Sequence, residues 1–363
     1  MNVAPTITKA AAEPAAKAAA PGVPFRVPRI AVSGVLRPRL LLVCAALAAI
    51  AFLAFCQGVA MGDVGIPIPD VVRALFGSGD GGTLLIVREF RLPRALTGLL
   101  AGFAFGLSGA LFQTMTRNPL ASPDMIGITQ GAGTAVVAGI VLGFGPGDQV
   151  LGMVGALVTA LLVYALAWRR GTTGYRIVLV GVGLAWMCTS LTDFLIARGG
   201  RFEAQAAIGW LVGNLNGRAW SHVEPLAIAT AVLAPAALLL GRWTRTLQLG
   251  DDVARALGTP VQYTRFALMI VGVGLVAFGT ASAGPLVFVA LAAPQIAQRL
   301  AGTAWPPPIA SGLAGAAAVL SADVVARVIV PGTELPVGVV TGACGAPVLL
   351  WLLVRANRAG SGG

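Results

Sequence analysis

Lysine is all but missing. Lys9 and Lys17, both in the N-terminal tail, are the only two, so no Gly-Lys-Ser/Thr phosphate loop exists and the chain does not bind and hydrolyse ATP by itself. Histidine is represented by His222 alone. That excludes a paired-histidine metalloprotease motif, and with no Gly-x-Ser-x-Gly elbow an intramembrane hydrolase is not expected. His222 reads as an exposed residue of an outer loop. The cysteines, Cys44, Cys56, Cys188 and Cys344, sit inside apolar runs without Cys-x-x-Cys or metal-type spacing. Packing is their expected role, with no disulfide framework and no metal site. Charge is sparse as well, at 11% of residues.

What fills the chain instead is apolar. Of 363 residues 57% are hydrophobic, with mean hydropathy +0.85, more than a soluble domain of this size can hide from water. The chain reads as all-α and polytopic. A net charge of +11 would suit nucleic acid in a soluble protein, but in a membrane protein it is explained first by cytoplasmic loops. About 20 residues cross a bilayer once. Ten such spans are predicted, near 40–60, 92–114, 126–144, 150–168, 177–197, 223–241, 266–283, 286–301, 308–328 and 335–354, the eighth being short enough to span only in part. Ten crossings put both termini on one side, and 17 of the 25 Lys and Arg then fall on that side. The positive-inside rule makes it the cytoplasm. Residues 1–39 read as a disordered cytoplasmic tail without a signal peptide's order, 40–355 as one transmembrane domain, and 356–363 as a short cytoplasmic tail. Crossings two to five and seven to ten form a weak inverted echo, as in many transporters.

The most informative stretch runs from Arg91 to Gly133, RLPRALTGLLAGFAFGLSGALFQTMTRNPLASPDMIGITQGAG. Glycines at 98, 102, 106 and 109 give a helix face that a neighbouring backbone can approach closely. The order RLPR, LSGALFQ, RNPLASP, GITQGAG resembles the membrane permease family of ABC importers for iron-siderophores, haem and cobalamin, the FecCD type of type II importers. The likeness covers most of the chain beyond about residue 40. It implies a ten-helix permease, paired with an identical or related second permease subunit. It also implies a dimer of ATP-binding cassette ATPases, which would hold the ATP and Mg, and a periplasmic or lipoprotein substrate-binding protein. No cofactor is implied on this chain, and no nucleic acid partner. The cargo would be a ferric siderophore at the bacterial inner membrane.

Site residues follow from the matching positions. In the resembled family, arginines at the positions of Arg91, Arg94 and Arg327 accept glutamates of the binding protein, pairs that can be bidentate and that raise docking rates. The segment of about 246–264 contains LQLGDDVARALGTPVQYTR, a short helical piece closed by glycines with Asp251 and Asp252 in its first turn. Its Gly250, Asp251, Ala254, Leu257 and Gly258 match the family's coupling helix, which inserts into a groove of the ATPase. Arg117, Asn118 and Pro119, Gly284 and Pro294, and Glu334 and Pro336 fall in motifs that look structural. Ala290, Gln295 and Gln298 replace the family's usual Gly, His and Arg, a variant associated with ferric-catecholate permeases. Asp323 sits one helical turn from Arg327 and is expected to pair with it. Asp193, Gln113 and Glu334 motivate the rival reading, an ion-coupled secondary transporter; haem or cobalamin is the rival cargo.

Overall fold

The computed structural model describes residues 23–27, 32–62, 64–145, 147–168, 174–330 and 334–360. Strands β1 (Val23–Val27) and β2 (Val32–Leu36) pair antiparallel with Val23 opposite Leu36. This hairpin differs from the expected disordered tail: Val-rich alternation on both sides of a short connection satisfies a strand ladder. The rest of the expected tail, 1–22 and 28–31, lies outside the described residues.

The other secondary-structure elements among the described residues are helices. α1 (Pro38–Ala60) is followed by two short pieces, α2 (Ile68–Leu75) and α3 (Gly81–Leu85), then a π-helical turn, Ile86–Arg91, that runs straight into α4 (Leu92–Thr116). Next come α5 (Ile128–Leu142), α6 (Asp148–Ala167), α7 (Gly174–Arg198), α8 (Arg201–Leu211) and α9 (Trp220–Leu239). α10 (Gly241–Leu247) and α11 (Asp251–Ala256) are short. α12 (Val261–Ala283), α13 (Val289–Ala301), α14 (Pro308–Val328) and α15 (Val337–Gly360) complete the chain. Each of the ten expected crossings is a helix within a few residues of its predicted bounds. α15 continues to Gly360, so 356–360 are helix and not tail.

Seven of the described helices are long and apolar enough to cross a bilayer. α5 and α13 are not, with 15 and 13 residues, about 20 Å at ~1.5 Å per residue against ~30 Å of hydrocarbon. Both begin inside the bundle, where Ile128 and Val289 are buried, and end with Leu142 and Leu300 exposed; irregular backbone at membrane depth is tolerated where protein surrounds it, as at these buried starts. The same order recurs twice. α4 to α7 have 25, 15, 20 and 25 residues and α12 to α15 have 23, 13, 21 and 24. In each set a left-handed residue, Gly127 or Phe288, starts the short second helix, so the two sets share an order of lengths and a cap.

α4 is the central post. Its glycine face packs on α14 and α13 so closely that a Cβ at Gly106 would overlap the Ser311 carbonyl, and one at Gly109 the Ala290 carbonyl. Pro294, four residues on, has no N–H to bond that Ala290 carbonyl. Ser108 donates to the Gly272 carbonyl of α12 at 2.7 Å, and Gln113 donates to the Leu291 carbonyl of α13 at 3.1 Å. Gln295 donates to Gln113 at 2.6 Å, so the residue replacing the family histidine ties α13 to α4. Gln298 donates to the Ala304 carbonyl at 2.7 Å beyond the end of α13. Cysteine packing holds for buried Cys188 and for half-buried Cys44, which lies against the cluster of Val43, Leu47 and Ala293; Cys56 and Cys344 are exposed. His222 is half-buried, and its Nδ1 accepts the Ala219 N–H at 3.4 Å at the start of α9. It is therefore not the freely exposed loop residue its sequence neighbourhood suggests.

Candidate functional site

Two groups of charged side chains sit at opposite ends of α4. At its N-terminal end, Arg94 donates to Asp323 Oδ1 from Nε at 3.2 Å and Nη2 at 2.9 Å, and to Glu334 Oε2 from Nη1 at 2.8 Å. Asp323 also accepts from Arg327 on the next turn of α14. The pairing expected between Asp323 and Arg327 is thus present, with Arg94 added from another helix. Arg327 further donates to the carbonyls of Gly58 at 2.9 Å and Met61 at 3.1 Å. Arg91 donates to those of Val59 at 3.3 Å and Ala60 at 2.8 Å.

Those carbonyls end α1. A helix leaves its last four C=O groups without partners, and cations there are favoured by the helix dipole; two arginines from different elements meet both needs. Arg39 repeats the device at the other end of the bundle, donating to the Leu300 carbonyl at 2.8 Å and the Arg299 carbonyl at 3.3 Å where α13 stops. Arg91, Arg94 and Arg327 were expected to offer themselves to an incoming partner. They do converge, but they are buried and bonded to acceptors of this chain. Only Glu334 keeps part of its carboxylate in the open. It and Pro336 belong to the same group, because Pro336 directly precedes α15 and the Leu335 N–H donates to the Ala326 carbonyl of α14 at 3.2 Å.

At the other end α11 forms the tip. Gly250 and Gly258, on either side of it, have φ of +107° and +77°, values that side chains disfavour. Asp251 accepts from Arg265 of α12 at 2.7 and 2.9 Å and from Arg117, just past α4, at 3.1 Å. Ala254 is fully buried beneath α11. Leu249, Val253 and Leu257, on α11 and its two flanks, are exposed, and nothing would meet a Cβ at Gly258 within 4 Å. Asp252 and Arg255 pair at 2.8 Å in the open. Asn118 Oδ1 accepts the Leu120 N–H at 2.9 Å, turning the chain through Pro119.

The segment from Arg117 also holds Asp124, whose carboxylate accepts the Thr129 hydroxyl at 2.6 Å. Burial pushes this carboxyl up to about 6 despite that bond. Gly284 and Pro294 lie elsewhere, in the packing between helices. A Cβ at Gly284 would come within 2.8 Å of the Gly213 Cα. Arg265, Arg39 and Asp124 escaped the sequence reading. An arginine five residues into an apolar helix was the one available signal for Arg265; the other two look like ordinary loop-end residues.

The FecCD transport family profile matches residues 40–355. The chain is 40% identical over 323 residues to the ferric enterobactin transport system permease protein FepG of Escherichia coli K12, covering 88% of this chain and 98% of that one. It is 38% identical to the achromobactin permease CbrC of Dickeya dadantii (79% and 83% covered). It is 37% identical to the vitamin B12 import permease BtuC of Citrobacter koseri (76% and 84%). Among solved structures, an inward-facing metal-chelate type ABC transporter superposes with TM-score 0.76 at 23% identity, covering 87% of this chain and 99% of that one.

Proposed function

The chain belongs to the FecCD transport family, and from that footing we propose that it passes ferric siderophore chelates through the bacterial inner membrane. It is a membrane transport subunit of an ABC importer and not an enzyme. ATP and Mg belong to a separate pair of cassette ATPases on the cytoplasmic side, where both termini also lie; a second permease subunit and a periplasmic or lipoprotein binding protein complete the assembly. The observation that carries the cargo is the 40% identity to a ferric enterobactin permease along 98% of its length. Cobalamin is the second reading, favoured by the likeness to vitamin B12 permeases; haem has less behind it. An ion-coupled carrier is disfavoured by the family and by the carboxylates themselves. Asp323 and Glu334 are engaged by guanidiniums, and Asp193 is exposed on α7.

In this reading α11 and its flanks (about 246–264) are the ATPase contact. The exposed Leu249, Val253 and Leu257 offer an apolar stripe to a groove, while Asp251 and Ala254 fasten the piece to the bundle. The Arg94 end is where the binding protein docks, with its carboxylates competing for guanidiniums that Glu334 and the end of α1 now hold. Closure of the ATPases moves α11 and rocks the paired permeases between two states.

The deciding experiment is uptake of radiolabelled ferric enterobactin, with cobalamin as competitor, in liposomes holding the chain and its co-purified ATPase. ATP-dependent uptake unaffected by an ion gradient supports the reading; uptake driven by a gradient without nucleotide ends it. Val253→Glu should keep the fold and lose ATPase association. Arg91→Glu with Arg327→Glu should abolish binding-protein docking even at low salt; retained docking would remove the arginines from that role.

A further inference from the structure

Arg117 stands where a glycine would be expected. It closes α4 in the left-handed region, at φ 54° and ψ 34°, which crowds a Cβ against the backbone and is the usual place of a C-terminal glycine. Among the described residues only Arg117 and Phe288 take a positive φ without being glycine. The turn does not depend on the side chain. Its bonds run from the Arg117 N–H to the Thr114 carbonyl at 3.3 Å and from the Asn118 N–H to the Gln113 carbonyl at 3.2 Å, and glycine would make both. What glycine could not do is reach Asp251, whose Oδ1 accepts from Arg117 Nη2 at 3.1 Å. A strained conformation kept with a side chain in place points to a use for that side chain.

The bond joins two parts far apart in sequence. Asp251 is the first residue of α11, and Arg265 holds its carboxylate to α12 at the same time. α4 is fastened at its other end through Arg94 to Asp323 and Glu334, and between the two ends its glycine face is locked onto α13 and α14. Such a helix shifts as a rod, because packed backbones have discrete arrangements and little give. We propose that Arg117 is a positioning residue, a tie that transfers displacement of α11 to α4 and so to the Arg94 ion-pair group at the far face. This rests on the reading of α11 as the ATPase contact.

Arg117→Gly separates the tie from the turn. In liposomes with the ATPase and binding protein, using ferric enterobactin as probe, the variant keeps its melting temperature, its ATPase and its basal hydrolysis. Its uptake per ATP should fall about tenfold and its stimulation by binding protein should vanish, while Arg117→Lys, which keeps the charge, stays within about threefold of wild type. Uptake per ATP within about twofold of wild type for Arg117→Gly overturns the tie. So does a variant that merely melts earlier and sheds its ATPase, since that is the mark of a structural cap. A wild-type complex without ATP-driven uptake overturns the parent reading and the tie with it; a working wild type beside an unaffected glycine variant overturns the tie alone.

Discussion

Both ends of α4 are held by arginines and carboxylates, yet the two fastenings differ in kind. At the Arg94 end every guanidinium has acceptors within the bundle and the central carboxylate is 2% exposed. At the Asp251 end one arginine of the pair is buried and the other is 39% exposed, and the helix they hold, with its flanks, leaves Leu249, Val253 and Leu257 exposed. Burial decides what each is worth. A desolvated charge depends on its partners to stay folded, whereas a wet pair adds little to stability and can link two parts that move without holding the fold together. The first end is built to stay assembled, the second to be moved.

Asp323→Ala tests the first half of that contrast and should have the largest effect. It takes one carboxylate from two buried arginines at once, and breaking such a group by removing one partner costs about 3–5 kcal/mol. The expected outcome is a large drop in melting temperature and yield in detergent, with Asp323→Asn only partly better because it restores one acceptor oxygen, carries no charge and sets an amide N–H against the other arginine. A variant that melts with wild type would show that Glu334 and the carbonyls of α1 suffice, and the two ends would no longer differ.

Gly109→Val probes the rod between them. Its side chain must displace the Ala290 carbonyl and the Pro294 ring, and overpacking of this kind costs about 1–3 kcal/mol or more. Separation of α4 from α13 should show as earlier melting and faster amide exchange in α13. Unchanged exchange there would mean the seam yields easily and cannot transmit. This seam was legible in the sequence, because glycines at 102, 106 and 109 on an apolar span have one common use. So were the ten helices, since length and hydropathy set them. What could not be read was where each arginine goes. Arg91 and Arg327 look alike in sequence to groups awaiting an external glutamate, and only the placement of the end of α1 beside them reveals their carbonyl partners. The glycine-bounded helix α11 was legible, but not that Arg117 and Arg265 meet on Asp251, since those contacts join residues 134 and 14 positions apart.

Asp124 lies in the segment that links α4 to α5 and should contribute a smaller effect with a definite pH dependence. Its carboxyl ordinarily titrates near 3.8 and is raised to about 6 here, mainly by burial. The folded state therefore binds the proton more tightly than the unfolded one. The favourable contribution is complete below about pH 4, declines as pH rises toward 6, and is gone above it, a change of roughly 1–3 kcal/mol. Asp124→Asn keeps an acceptor for Thr129 and should flatten that decline, melting higher than wild type at pH 7 and level with it at pH 4. Parallel curves for the two proteins would place the carboxylate in water, and this end of α4 would then be still more open than the contrast requires.

Asp252→Ala should have the least effect and completes the comparison with Asp323. Both aspartates pair with an arginine on their own helix, Asp323 with Arg327 four residues on and Asp252 with Arg255 three residues on. Spacing alone predicts equal worth. Yet Asp252 is 98% exposed, and such a pair on a helix surface contributes no more than about 0.5 kcal/mol. Its loss should leave the melting temperature within error of wild type, at low salt and high. If Asp252→Ala nonetheless weakens ATPase association, its charge acts across the interface and not within α11. If it destabilises the isolated permease as Asp323→Ala does, exposure is not what separates the two ends, and the view of α11 as a movable tip fails.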